Sequence, residues 1–128
     1  GHAEWRCPAI QFAMATPILH WQLELRDDGK LLLGLAVQNA VLDFESDRET
    51  LERCLQLLAS PVQGLGHLPI GRFGGFTVTL NNNLGDSVSI FIDGPYFVPR
   101  RVQSSAIWVD KVSLCDVLRA VIKKCDRR

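Results

Sequence analysis

The sequence holds no run of about 18 apolar residues, and so no segment that reads as a membrane-spanning helix. Nor does it carry an excess of either charge, since 14 Lys and Arg offset 14 Asp and Glu. Without a positive field, duplex nucleic acid and membrane surfaces are not expected partners. Zero net charge also removes the repulsion that keeps small domains apart, which favours a homodimer. Histidine is scarce, with three in the chain, and Cys7, Cys54, Cys115 and Cys125 include no CxxC pair. Neither a metal site nor a cofactor is therefore expected. Cys115 and Cys125 fall on one predicted helix, about 15 Å apart at 1.5 Å per residue, too far for a disulfide. Reduced thiols in a cytoplasmic protein are the reading that follows.

What is present points to one folded domain. Hydrophobic residues make up 47% of 128 and charged residues 22%, a balance that excludes disorder and allows a real core. Gly1-His2 reads as the remnant of an expression tag, leaving 3–128 as a single α+β domain; no signal-peptide pattern follows.

Alternation supplies the strands. Ile10, Phe12 and Met14 alternate with Ala9, Gln11 and Ala13 over 9–15, and Trp21, Leu23 and Leu25 alternate with His20, Gln22, Glu24 and Arg26. A three-residue loop, Asp27 to Gly29, pairs Leu25 with Leu31, Leu23 with Leu33 and Trp21 with Leu35. It brings large apolar side chains together and puts Gly29 at a left-handed position. A similar hairpin is predicted at "FTVTLNNNLGDSVSIFID". There a loop of Asn83, Leu84 and Gly85 pairs Leu80 with Val88, Val78 with Ile90 and Phe76 with Ile92. "AIWVD", Ala106 to Asp110, reads as a short strand, and "VQGLGHLPIGRFGG" as a Gly-rich connection. The strand "KLLLGLAV" is apolar on both faces, so both should be covered, one of them by a second subunit, the N-terminal segment or the long loop.

Two helices are signalled. Ser46 with Glu49 forms a capping box ahead of Leu51, Cys54, Leu55 and Leu58. Ser113 with Asp116 caps a second helix carrying Leu114, Val117, Leu118, Val121, Ile122 and Cys125 on one face. Lys123, Lys124, Arg127 and Arg128 then complement its negative end. The expected fold is α+β: a mostly antiparallel sheet of five to six strands with two amphipathic helices packed on one face, in the order β-β-β-α-β-β-β-α.

No catalytic signature stands out. The glycines of "GRFGGF" precede a strand rather than a helix, so they read as a tight turn and not as a phosphate loop. Asp43, Glu45 and Asp47 straddle a strand end and a helix start, which suits helix entry better than acid–base work or cation binding. The unusual stretch is "DGPYFVPRRVQSS", 93–105. Tyr96 and Phe97 between two prolines are too apolar for an ordinary loop. On one reading they fold back to plug the open end of the sheet. On the other they form a recognition surface with Arg100 and Arg101, a pair that suits a carboxylate-rich or phosphorylated partner. The expected function is thus a small non-enzymatic interaction module, of the inhibitor or immunity-protein type. It would recognise a protein partner, or a small apolar or anionic ligand, through Tyr96, Phe97, Arg100 and Arg101. The alternative is a pocket between sheet and helices holding His20, Trp21, Phe76 and Trp108, serving a small ligand or an enzyme that uses His20 with Glu24 or Cys7.

Overall fold

A computed structural model describes residues 15–38, 40–59, 66–82, 86–93 and 106–127. Seven strands and two helices follow one another: β1 His20–Leu25, β2 Lys30–Val37, β3 Ala40–Asp47, α1 Arg48–Ala59, β4 Gly66–Phe73, β5 Phe76–Asn82, β6 Ser87–Asp93, β7 Ala106–Asp110 and α2 Lys111–Asp126. All strands join one antiparallel sheet whose spatial order equals the chain order. The α+β class and the two helices agree with expectation. The strand count is higher, and the order among the described residues is β-β-β-α-β-β-β-β-α. The strand expected at 9–15 falls almost wholly outside the described residues.

Two strands escaped the sequence reading. β3 alternates buried Leu42, Phe44 and Ser46 with more exposed Val41, Asp43 and Glu45. β4 contains Pro69 and two glycines, composition that ordinarily marks a connection. It is tolerated because a bulge between Pro69 and Gly71 leaves Ile70 without a direct partner on β5, and Ile70 points into the core at 2% exposure. Phe73 pairs with Phe76 across Gly74-Gly75, so those glycines do form a tight turn, with Gly74 at φ +61.

The first hairpin has the expected register, Leu25 with Leu31, Leu23 with Leu33 and Trp21 with Leu35, and Gly29 takes φ +85. The second differs by two residues: Leu80 pairs with Ile90, Val78 with Ile92 and Asn82 with Val88. A shift of two keeps every side chain on its own face, so apolar alternation cannot distinguish the registers. The observed one places Asn82, 7% exposed, on the core side, where its Oδ1 has no hydrogen-bond partner among the described residues.

The helix caps lie one residue later than the capping box indicated for α1 and three residues earlier for α2. Asp47 caps α1, its Oδ1 accepting from Thr50 N–H at 2.8 Å. Ser46 instead turns inward and donates to the Ile70 carbonyl at 2.6 Å. Asp110 caps α2 by accepting from Ser113 N–H at 2.9 Å, while Ser113 Oγ accepts from Ile18 N–H at 2.8 Å. In each case an aspartate at the strand end is better placed than the serine, which has a tertiary partner.

The helices pack on each other and on one face of the sheet, α1 against β3 and β4, α2 against β7 and β1. Leu51, Cys54 and Leu58 of α1 and Leu114, Val117, Leu118 and Val121 of α2 are buried against Leu31, Leu33, Leu35, Phe44, Val78, Leu80, Ile90 and Val109. Contact of α2 with both edge strands requires the sheet to curl. Thr16 N–H donates to the Trp108 carbonyl at 3.2 Å, Asp110 N–H donates to the Thr16 carbonyl at 2.9 Å, and Leu19 N–H donates to the Ala36 carbonyl at 2.8 Å. From Thr16 to Leu19 the chain reaches about 10 Å at most. A flat seven-stranded sheet would hold its edges about 29 Å apart. The sheet therefore wraps around α2, with 16–19 tying its last strand to its first.

The sheet is weakest between β3 and β4, which share a single residue pair, Glu45 with Arg72. A Cβ on Gly71 would collide with the Glu45 carbonyl and the Phe44 ring. Gly71→Ala is accordingly expected to cost about 1–3 kcal/mol in urea unfolding. Gly75→Ala, with open space around it, should cost little; equal losses would show that the seam imposes no special constraint. Asp47→Ala should cost about 1 kcal/mol at neutral pH, as loss of a helix cap does. The Thr50 amide holds the Asp47 carboxyl below its usual value of 3.8. Its contribution is therefore complete above that value and lost as pH falls through the lower folded value. The gap between wild type and variant should narrow in acid urea titrations.

Candidate functional site

The four aromatic and histidine candidates are not gathered into one pocket. Trp21 and Phe76 lie on the core-facing side of β1 and β5, whereas His20 and Trp108 lie on the outer face, away from the helices. Trp21 belongs to the first strand of the sheet and Trp108, 42% exposed opposite Ser89, to the last. His20 and Glu24 share a face of β1, but four residues of strand separate them by about 13 Å, beyond hydrogen-bond reach. Cys7 lies outside the described residues, as do Tyr96, Phe97, Arg100 and Arg101. Trp21 has a structural role, with Lys124 Nζ 5.5 Å from its ring centroid, which adds a cation–π contact between α2 and β1.

The remaining chemistry is quiet. Burial pushes the Cys54 thiol up to about 12 and raises that of Cys115, so both stay protonated and poorly nucleophilic at neutral pH. Among the described residues no group of three or more His, Cys, Asp and Glu is placed to hold a metal ion, and no helix is long and apolar enough to cross a membrane. Asp43, Glu45 and Asp47 have separate assignments. Asp43 lies beside Gly34, Glu45 accepts from Arg26 at 2.9 Å, and Asp47 caps α1.

The most distinctive site opens where β3 and β4 part. Beyond the Glu45–Arg72 pair, β3 hands over to α1 while β4 continues beneath it, leaving a groove of about 480 Å³. Its floor holds Ser46, Asp47, Ile70 and Gly71, and its rim carries Lys30, Arg53 and Arg72. Lys30 pairs with Asp47 at the start of β2, Arg53 stands on the second turn of α1, and Arg72 is the penultimate residue of β4. Counting Arg26, four cations face the two carboxylates Glu45 and Asp47, and the positive end of α1 adds to the same field. Thr77 also lines the groove, and it pairs with Asp93, the residue from which 94–105 departs. The sequence offered no signal for this trio, because its members belong to three elements that become neighbours only at the seam.

A second groove, about 560 Å³, borders β1 and is lined by Trp21, Gln22, Leu23, Glu24, Gly34 and Lys124 among others. Leu32, Gly34 and Ala36, the outward side of the doubly apolar strand β2, are half-buried, in contrast to Leu31, Leu33 and Leu35 at 1%. Comparisons of the chain with models of protein families, with curated proteins and with solved structures found no match.

Proposed function

We propose that the protein is a non-enzymatic interaction module that takes an acidic segment of a partner protein into the groove between β3 and β4. The observation that supports this reading is the rim of Lys30, Arg53 and Arg72 around an opening in the sheet. Each cation is carried by a different regular element, so the charges are held at set positions without a flexible loop. The groove is open to solvent, which suits a peptide side chain better than an engulfed small molecule. Lys30 and Arg53 already act on Asp47, helping to hold its carboxyl low, so their charge reaches the groove floor.

Arg100 and Arg101 enter the same reading through the chain path. The segment that carries them follows in sequence from Asp93, the last residue of β6, which pairs with the groove-lining Thr77. In this reading Arg100 and Arg101 supply further cations to an acidic partner, and Tyr96 and Phe97 supply apolar contact. Such a surface derives specificity and association rate from charge, and its affinity should fall as salt rises.

The test is a titration of isotope-labelled protein with a Glu-rich peptide, followed by amide chemical shifts. Shift changes are expected at Lys30, Arg53, Arg72 and Thr77. Arg53→Glu combined with Arg72→Glu should weaken binding by at least about tenfold, a loss of about 1.4 kcal/mol. Arg72 lies across from Glu45 and Arg53 acts on Asp47, so unfolding midpoints are measured alongside and affinities compared at a temperature where both proteins are folded. Shifts confined to other surfaces, or equal affinity of wild type and variant, would sink the assignment. A parallel titration with inorganic phosphate separates a bare anion site from a peptide groove.

A further inference from the structure

The strand β1 ends the sheet, and its free side has a defined hydrogen-bonding pattern. Arg26 N–H donates to the Lys30 carbonyl at 2.9 Å, which makes that pair hydrogen-bonded. Bonded and non-bonded pairs alternate along an antiparallel ladder. His20, Gln22 and Glu24 therefore bond to β2, whereas Trp21, Leu23 and Leu25 aim their N–H and C=O groups at the outer edge. Among the described residues no backbone group pairs with them. The groove bordered by Trp21, Gln22, Leu23 and Glu24 adjoins this edge. Edge strands that leave such groups open invite a further strand.

We propose that two copies of the chain associate through β1, edge to edge and antiparallel, about a two-fold axis at Gln22. The register follows from two conditions. Outward-facing groups must meet outward-facing groups, so Trp21 and Leu23 pair only with odd-numbered residues of the second copy. The helix-covered faces of both sheets must also fall on the same side, which the same parity satisfies. An axis at Leu23 meets both conditions, but it sets His20 across from Arg26 of the second copy. An axis at Gln22 instead sets His20 across from Glu24 of the second copy, and Glu24 across from its His20, so polar complementarity is satisfied twice. Trp21 then pairs with Leu23 of the second copy as a bonded pair on the helix side, and the two Gln22 amides face each other on the outer side.

The burial pattern agrees with this arrangement. On β2 the helix-side leucines are 1% exposed, whereas on β1 Trp21, Leu23 and Leu25 are all half-buried. A self-complementary patch of this kind is what a two-fold dimer requires. The interface is separate from the groove between β3 and β4, so its test does not depend on peptide binding.

Sedimentation velocity of the full chain decides the matter. Wild type should sediment at twice 14.3 kDa at roughly 100 µM, a range that detects even weak association. Gln22→Lys places like charges together on the axis and should raise the dissociation constant by at least about tenfold. Gln22→Ala removes the amide without adding charge and should remain a dimer. Gln22 is exposed, and circular dichroism confirms that each variant is folded. A monomeric wild type would overturn the proposal. So would a wild-type dimer that Gln22→Lys leaves intact, since association would then use another surface.

Discussion

One close approach joins the two halves of the sheet. β1–β3 and β4–β7 are each held by long ladders, yet they join through one residue pair at Glu45 and Arg72. The absence of a side chain at Gly71 lets β4 come against the Glu45 carbonyl and the Phe44 ring. Ser46 then reinforces the junction by donating to the Ile70 carbonyl from a buried position, where an unpaired carbonyl would cost about 1–3 kcal/mol. With that contact in place, Phe44, Ile70 and Leu51 belong to one continuous core. Without it, the hairpin strands would have no reason to share α1.

The second constraint is the curl. Packing α2 against both β1 and β7 buries Leu114, Leu118 and Val121, each contributing about 1.5–3 kcal/mol from its own apolar surface. The ion pairs that decorate this arrangement are secondary. Arg48 grips Asp126 through Nε at 2.7 Å and through a second nitrogen at 3.2 Å, linking the start of α1 to the end of α2. That contact raises the guanidinium pKa and lowers the carboxyl, but both groups are exposed and water screens them. They set the antiparallel alignment of the helices, while burial supplies the cohesion.

The proposed recognition groove is a consequence of the same seam. Pairing stops where β3 must turn into α1 and β4 must pass below it, so the described lining of the opening comes from regular elements. A site of this origin needs no dedicated loop. Its cations can project from positions that packing already holds, and the groove floor is neutralised by structural partners, Arg26 for Glu45 and the α1 amides for Asp47. The edge of β1 is likewise a product of topology, since a meander of seven strands leaves an end wherever the curl stops short of full closure.

Much of the local structure was legible in residues alone. Trp21, Leu23 and Leu25 against Leu31, Leu33 and Leu35 dictated the first hairpin, because only one loop length brings the large side chains opposite one another and leaves Gly29 where φ is positive. The helix faces of Leu51, Cys54 and Leu58 and of Leu114 through Val121 were equally plain, since a period near 3.6 has no other explanation. What was not legible depended on partners distant in the chain. Pro69 and Gly71 read as a connection until a bulge and the Phe44 ring explain them. Ser46 and Ser113 read as caps until Ile70 and Ile18 claim them. The register of β5 with β6 was ambiguous by two because alternation has a period of two. Sequence by itself determined which segments are apolar on which face, a property of neighbours along the chain. Only the tertiary structure decided that Lys30, Arg53 and Arg72 share one rim, because closing the seam at Gly71 is what brings three separate elements together.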